Sequence, residues 1–253
     1  MEISYQDINR KTIDRWVDDG WEWGKPISRE VYAAAKNGQW DVKLTPVKFV
    51  PHDWFGDLKD RRVLGLAAGG GQQMPIFAAL GAKCTVLDYS EKQLESERMV
   101  AQRESYDITI VRADMTKRLP FDDNSFDLIF NPASNCYVYA VLPIWRECAR
   151  VLKPGGYLLR VVPMERHLFE LKAAVYERPY ENPPAEPAVE GFRLLRTQTL
   201  RKTITLSSNE DVQALFLMTP YYYKTGAEDQ QKLAAVPSLR VTTEFLIAAC
   251  QKP

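Results

Sequence analysis

Residues 63–80 read VLGLAAGGGQQMPIFAAL: an apolar run, three consecutive glycines, then a second apolar stretch with helical character. A buried strand that ends in a glycine turn and restarts as a helix leaves few architectures open, because the strand must be covered and the helix must pack back on it. Gly69, Gly70 and Gly71 let the backbone turn sharply and approach a ligand closely. The helix that follows presents unpaired N–H groups and the positive end of its dipole. A nucleotide-like cofactor is the functional reading of this turn, and a plain tight turn is the structural one.

The surroundings extend the pattern. RVLGLA (62–67), CTVLDY (84–89), ITIVRAD (108–114), FDLIFN (126–131) and YLLRVV (157–162) are short apolar runs separated by amphipathic stretches, the sequence form of βα units in a parallel sheet. Ser90 and Gln93 have the spacing of a capping box before LESERMVAQRES. A helix from about Ala140 to Val151 is expected to stop at Lys153-Pro154-Gly155-Gly156. The first 60 residues read instead as a helical arm: a helix through INRKTIDRWV, a Trp-rich turn at GWEWGKP, a helix near SREVYAAAKNG and an irregular link, WDVKLTPVKFVPHDWFGD. Beyond residue 163 the expectation is a helix from about Arg166 to Glu177, a surface loop at YENPPAEPAVEG, a strand at FRLLRTQTLRKTITL, a helix near Asp211 to Met218, and a last strand at RVTTEFLIAAC.

Composition narrows the function classes. The 253 residues carry 33 Lys+Arg against 33 Asp+Glu, so a large nonspecific nucleic-acid surface is disfavoured. Cys84, Cys136, Cys148 and Cys250 form no C-x-x-C pair and have no close His, so no metal site is expected and buried thiols are. Glu2, Gln6, Asp7 and Arg10 interrupt any apolar start, and no run approaches the roughly 20 residues of a membrane span. A soluble, cytoplasmic chain without a membrane partner is the expectation.

Asp88 ends the strand after the glycine turn, about 20 residues on, where a carboxylate can accept both hydroxyls of a ribose; the alternative is that it only caps the helix starting near Ser90. The turn lacks the G-x-G-x-x-G spacing of dinucleotide enzymes, which makes a nicotinamide oxidoreductase a distant reading. ADM (113–115), LPFDDNSFDLIFN and RECARVLKPGG follow in order. With these, residues 60–162 resemble the class I S-adenosylmethionine-dependent methyltransferases, with a front like methyltransferase type 11.

That resemblance implies an α/β fold: a Rossmann-like seven-stranded sheet with helices on both faces, here preceded by an N-terminal helical arm or cap (1–60), the methyltransferase domain being 61–253 with a cofactor half (61–162) and a substrate-side half (163–253). It implies S-adenosyl-L-methionine as cofactor. Ala67, Gly69, Gly70, Gly71 and Gln72 would surround its methionine moiety, Asp88 would hold the ribose with Tyr89 by the adenine, and Asp114 would accept from the adenine amino group beside Met115. Asn131, Pro132 and Ala133 would face the sulfonium and the substrate. Gly65 and Ala67 stand where the family usually has an acid and its first glycine, a departure shared by a subgroup with VLGLA-x-GGGQQ, whose arm GWEWGKPIS also resembles. Trp21, Trp23 and Tyr137 are candidate substrate contacts, with core packing as the plainer role for each. No catalytic base is assigned, since methyl transfer from a sulfonium asks mainly for an in-line approach.

The tail resembles a different group. PMERHLFELKAAVY, EGFRL and ALFLMTPYYYK are similar to the C-terminal half of bacterial large-subunit rRNA guanine-N1 methyltransferases, which implies His167 near the cofactor and Tyr221, Tyr222 and Tyr223 at a substrate pocket. The zinc ribbon that opens those enzymes has no counterpart here. The acceptor is therefore a small molecule or an RNA base, and rRNA guanine-N1 methylation is the alternative function. A recombined or designed chain that binds the cofactor without turnover is the alternative of another class, and a natural intermediate subgroup is the other account of the two halves.

Overall fold

A computed structural model describes residues 4–45, 48–132, 134–217, 219, 221–222 and 225–253. The arm opens with α1 (Tyr5–Asp18), capped by the Ser4 hydroxyl accepting from Asp7 N, and continues to α2 (Arg29–Lys36), capped in the same way by Ser28. The link after α2 is less irregular than its sequence suggests. It contains a small antiparallel pair, β1 (Lys43–Thr45) and β2 (Lys48–Phe49), too short to leave a readable alternation.

The five apolar runs form β3 (Arg62–Leu66), β4 (Lys83–Asp88), β5 (Ile108–Arg112), β6 (Phe126–Asn131) and β7 (Leu152–Pro163). Each pairs in parallel with its neighbour: β3 with β4 and β6, β4 with β5, β6 with β7. Parallel neighbours need crossovers, supplied by α3 (Gln73–Ala79), α4 (Glu91–Glu104) and α5 (Leu142–Val151). With β8 (Arg193–Leu206) and β9 (Leu239–Gln251) the sheet has the order β5-β4-β3-β6-β7-β9-β8. The chain is thus an α/β protein with a Rossmann-like seven-stranded sheet.

Two boundaries differ from the sequence reading. The LKPGG segment belongs to β7 rather than to a turn alone, because the ladder with β6 shifts register between Phe126 and Leu128 and so accommodates Pro154. The helix α6 covers only Phe169–Val175, since Leu168 sits at φ 53, outside helical space. Further on lie the helices α7 (Asn209–Leu217) and α8 (Ala227–Lys232). The second was not anticipated, as AEDQQK has no apolar face to read.

Contacts divide the chain into two compact units: Met1–Val161 with Ala188–Arg196 and Ala249–Pro253, and Val162–Pro187 with Thr197–Ala248. The first is built on strand residues of zero exposure, among them Val63, Leu64, Leu66, Val86, Leu87, Ile129 and Phe130. Phe77 of α3 meets Phe130 edge to face at 5.3 Å and Phe55 at 5.4 Å, fastening the link and the glycine-led helix to the sheet. The second has its own core of Leu168, Leu171, Val175, Val212, Phe216, Leu233 and Val241.

Candidate functional site

Strand order reverses between β3 and β6, and the crevice beyond the carboxyl ends of the strands at such a point is where open α/β sheets bind ligands. Ala67–Gly71, Asp88, Asp114 and Asn131 all lie at strand ends on that edge. The turn is locked into an unusual backbone path, with Ala67 at φ 50, Gly70 at φ 102 and Gly71 at φ 67. A side chain at Gly70 would strike Trp23 O at 2.5 Å and Gln93 Oε1 at 2.6 Å. Glycine is required here by both conformation and space.

The N–H groups of the turn are already committed. Gly69 N donates to Asp88 Oδ2 (3.1 Å), Gly70 N to Gln93 O (2.9 Å) and Gly71 N to Glu97 Oε2 (2.9 Å). Asp88 Oδ1 accepts from Ser90 N at 2.9 Å. This completes the N-terminus of α4, where Ser90 Oγ accepts from Gln93 N, and Asp88 takes the reciprocal role that a capping box would give to the Gln93 side chain. Both readings of Asp88 therefore have a structural basis: it caps, and its carboxylate sits beside Gly69 on the crevice edge. Burial raises the Asp88 carboxyl, while N–H bonds from Ser90, Gly69 and Tyr89 pull it the other way.

The ends of β4 and β5 are joined by Ala113 N donating to Asp88 O at 3.1 Å. Asp114 Oδ1 accepts from Thr116 N and Thr116 Oγ1, at 2.8 and 2.7 Å, and Met115 is buried beside it. Asn131 is fully buried with its amide spent: Nδ2 donates to Leu66 O (2.8 Å) and Ser134 Oγ (2.9 Å), and Oδ1 accepts from Asn135 Nδ2 (2.7 Å). It clips β6 to β3, and Pro132 is buried after it.

The arm packs on this edge through polar contacts that sequence reasoning missed. Tyr89 Oη donates to Asp7 Oδ1 (2.9 Å), Ser90 Oγ to Asp14 Oδ1 (2.6 Å), Gln6 Nε2 to Thr116 Oγ1 (3.3 Å) and Asn9 Nδ2 to Tyr137 O (3.0 Å). Asp7, Arg10 and Asp14 are spaced three and four apart, a helix-face signal present in the sequence. Gln72 Nε2 donates to Glu22 O (2.6 Å) and Lys25 O (2.9 Å), so its amide ties turn to arm. Trp21 packs on Trp16 with ring centroids 5.3 Å apart, while Trp23 contributes its carbonyl beside Gly70.

His167 and Tyr222 belong to the second unit. His167 Nδ1 accepts from Glu244 N at 3.2 Å, its ring lies 4.3 Å from that of Phe245, and burial, assisted by the charge of Lys172, lowers its pKa to about 4. Tyr222 meets the Phe216 ring at 5.8 Å, and the Tyr221 ring lies 5.5 Å from Lys172 Nζ. Ala133 and Tyr223 lie outside the described residues.

What the crevice offers a ligand is acceptors. Asp88 is half-buried at the end of β4, and Gln93 Oε1, buried beside Gly70, has no hydrogen-bond partner. The N–H groups of the three glycines, which could otherwise face a pyrophosphate, are consumed. This donor and acceptor set suits a ligand bringing hydroxyl and cationic groups. It fits the ribose and charged methionine end of S-adenosylmethionine better than a dinucleotide. Among the described residues no cluster of His, Cys, Asp or Glu could hold a metal ion, and no helix is long and apolar enough to cross a membrane.

Residues 64–160 match the family model of a methyltransferase domain. Over these residues the chain is similar to the methyltransferase-domain family. Among curated proteins the chain resembles the uncharacterized methyltransferase YbaJ of Bacillus subtilis, at 48% identity over 151 residues, 60% of this chain and 59% of the relative. It also matches the demethylmenaquinone methyltransferase of Clavibacter sepedonicus, at 39% identity over 98 residues and 39% of each chain. The chain thus spans about three fifths of the first relative's length and about two fifths of the second's. In fold it is similar to the [4+2]-cyclase SpnF, with TM-score 0.58, 18% identity, and 99% and 97% of the two chains covered. The YcgJ protein of Bacillus subtilis gives 0.52 at 16% identity, covering 76% of this chain and 92% of the other.

Proposed function

We propose that the protein transfers a methyl group from S-adenosyl-L-methionine to a small-molecule acceptor. The observation that carries this reading is the committed glycine turn beside a partly exposed Asp88: a crevice rich in acceptors, in a chain with a methyltransferase domain. When bound, the cofactor supplies a methyl group already activated on a sulfonium. The chain's own task is to hold and orient. Asp88 accepts from the ribose hydroxyls, Asp114 and Met115 border the adenine with Tyr89, and Ala67 to Gly71 surround the methionine end. Asn131, its amide committed to Leu66 and Ser134, shapes the floor before Pro132 and leaves the approach of the nucleophile to geometry. The arm, residues 1–60, acts as a cap on the domain through Asp7 and Asp14.

The balanced charge, 33 Lys+Arg against 33 Asp+Glu, favours a small acceptor over an RNA base. On β8 three of the four basic side chains are engaged: Arg193 with Gln251, Arg196 with Asp53 and Arg201 with Glu244. A cytoplasmic setting follows from the same reading. Calorimetry with S-adenosylmethionine and S-adenosylhomocysteine tests the proposal. Saturable binding is expected, weakened in Asp88→Ala by about 1.5–3 kcal/mol for the loss of charge-assisted hydrogen bonds. Folded protein that gives neither heat nor thermal shift with either compound overturns it.

A further inference from the structure

Glu97 is an ionisable residue with no exposed surface, on the buried face of α4. Its Oε2 accepts from Gly71 N at 2.9 Å, and Tyr106 Oη approaches Oε1 at 3.5 Å. Gly71 is pressed against the same helix: a methyl group there would meet Val100 Cγ2 at 2.8 Å and Ser96 O at 2.9 Å. The carboxyl is thus the acceptor for an N–H that points into the protein and that nothing in solvent can serve. We propose that Glu97 is a positioning residue for cofactor binding, holding the glycine turn in its ligand-facing path through the Gly71 N–H. The inference rests on the cofactor reading above.

The groups facing Glu97 are Cys84 and Asp88 from β4 and Tyr106 beyond α4, with Tyr32 of α2 stacked on Tyr106 at 5.6 Å; no cation acts on it among the described residues. Burial, together with the Asp88 charge, pushes its pKa up to about 8 against the bonds from Gly71 and Tyr106. With the turn closed the carboxyl keeps its proton near neutrality, whereas in an opened, hydrated turn it would lose it. Rising pH therefore favours the opened turn, and a ligand that binds the closed one loses affinity.

The test is calorimetric titration of S-adenosylhomocysteine into the full chain, as wild type, Glu97→Gln and Glu97→Ala, at pH 6.5 and 9.0. The glutamine keeps an acceptor for Gly71 and cannot ionise. It should match the wild type at pH 6.5 within about 3-fold and exceed it at pH 9.0 by about 3- to 10-fold, as the proton linkage requires. The alanine variant should bind about 10-fold more weakly or worse at both values, as a buried donor is left unpaired. Equal pH dependence in wild type and Glu97→Gln overturns the proposal even if the alanine variant fails to fold, and so does wild-type affinity in a folded Glu97→Ala. A wild type that does not bind S-adenosylhomocysteine at either pH removes the cofactor reading itself.

Discussion

Acid should loosen the second unit before the first, and His167 supplies the coupling. Its imidazole is buried against Phe245, its Nδ1 is occupied by Glu244 N, and the Lys172 ammonium adds repulsion, so the folded-state pKa lies at about 4 against 6.5 for a free histidine. Between these values the unfolded chain binds a proton that the folded one refuses. Stability is therefore complete above pH 6.5 and is lost as pH falls through 4, at up to roughly 1.4 kcal/mol per pH unit and about 3 kcal/mol in total. Trp16, Trp21, Trp23, Trp40, Trp54 and Trp145 all lie in the first unit, so tryptophan fluorescence would miss the event. Amide exchange across Phe169–Val175 reads it directly. Wild type and His167→Gln compared at pH 4.5, 5.5 and 6.5 should diverge, the wild type losing protection faster as pH falls. Parallel loss in both would show that the imidazole is not the group that titrates, and would refute the reasoning.

Two further substitutions probe the arm and the turn. Asp14→Ala removes the acceptor of Ser90 Oγ, Lys92 N and Arg10 Nη1 at once; α1 should detach locally, with about 1.5–3 kcal/mol lost from its opening free energy, seen as faster proteolysis within residues 5–25 and unchanged global unfolding. Gly70→Ala forces a side chain at φ 102 against Trp23 O and Gln93 Oε1, and should cost about 1–3 kcal/mol in urea unfolding; a neutral result would mean that the turn has another path.

How much of this was legible depended on whether a residue's surroundings are local in sequence. The strand, turn and helix at 63–80 and the acid at 88 are close enough along the chain for spacing alone to place them, and the sheet followed from the alternation. Glu97 was hidden for a physical reason. Its helix buries Gln93, Leu94, Glu97 and Val100, a proper 3.6-residue face, but an acid at the third position makes QLESER read as a solvated stretch. Gln72 and Asn131 illustrate the opposite case, since their positions were legible and their amide partners were not. The carbonyls of Glu22, Lys25 and Leu66 that occupy them come from other parts of the chain, and no local pattern encodes that encounter.

The likeness to SpnF, a [4+2]-cyclase covered almost end to end, means that the sheet does not by itself select methyl transfer. Selection must come from the chemistry at the crevice edge, and there the charges are not spread as the zero total suggests. Asp7, Asp14, Asp88 and Asp114 converge on the carboxyl ends of β4 and β5 with the arm, offset by Arg10 and Arg112, while the glycine N–H groups that would attract an anion are spent inside the fold. A phosphate arriving at this edge would meet carboxylates and find the glycine N–H groups already bonded. A ribose bearing a cationic sulfur would meet acceptors for its hydroxyls and a favourable field for its charge. The same chain with Asp88 and Glu97 made apolar would keep the sheet and lose that preference, so the ligand choice lies in these side chains rather than in the fold.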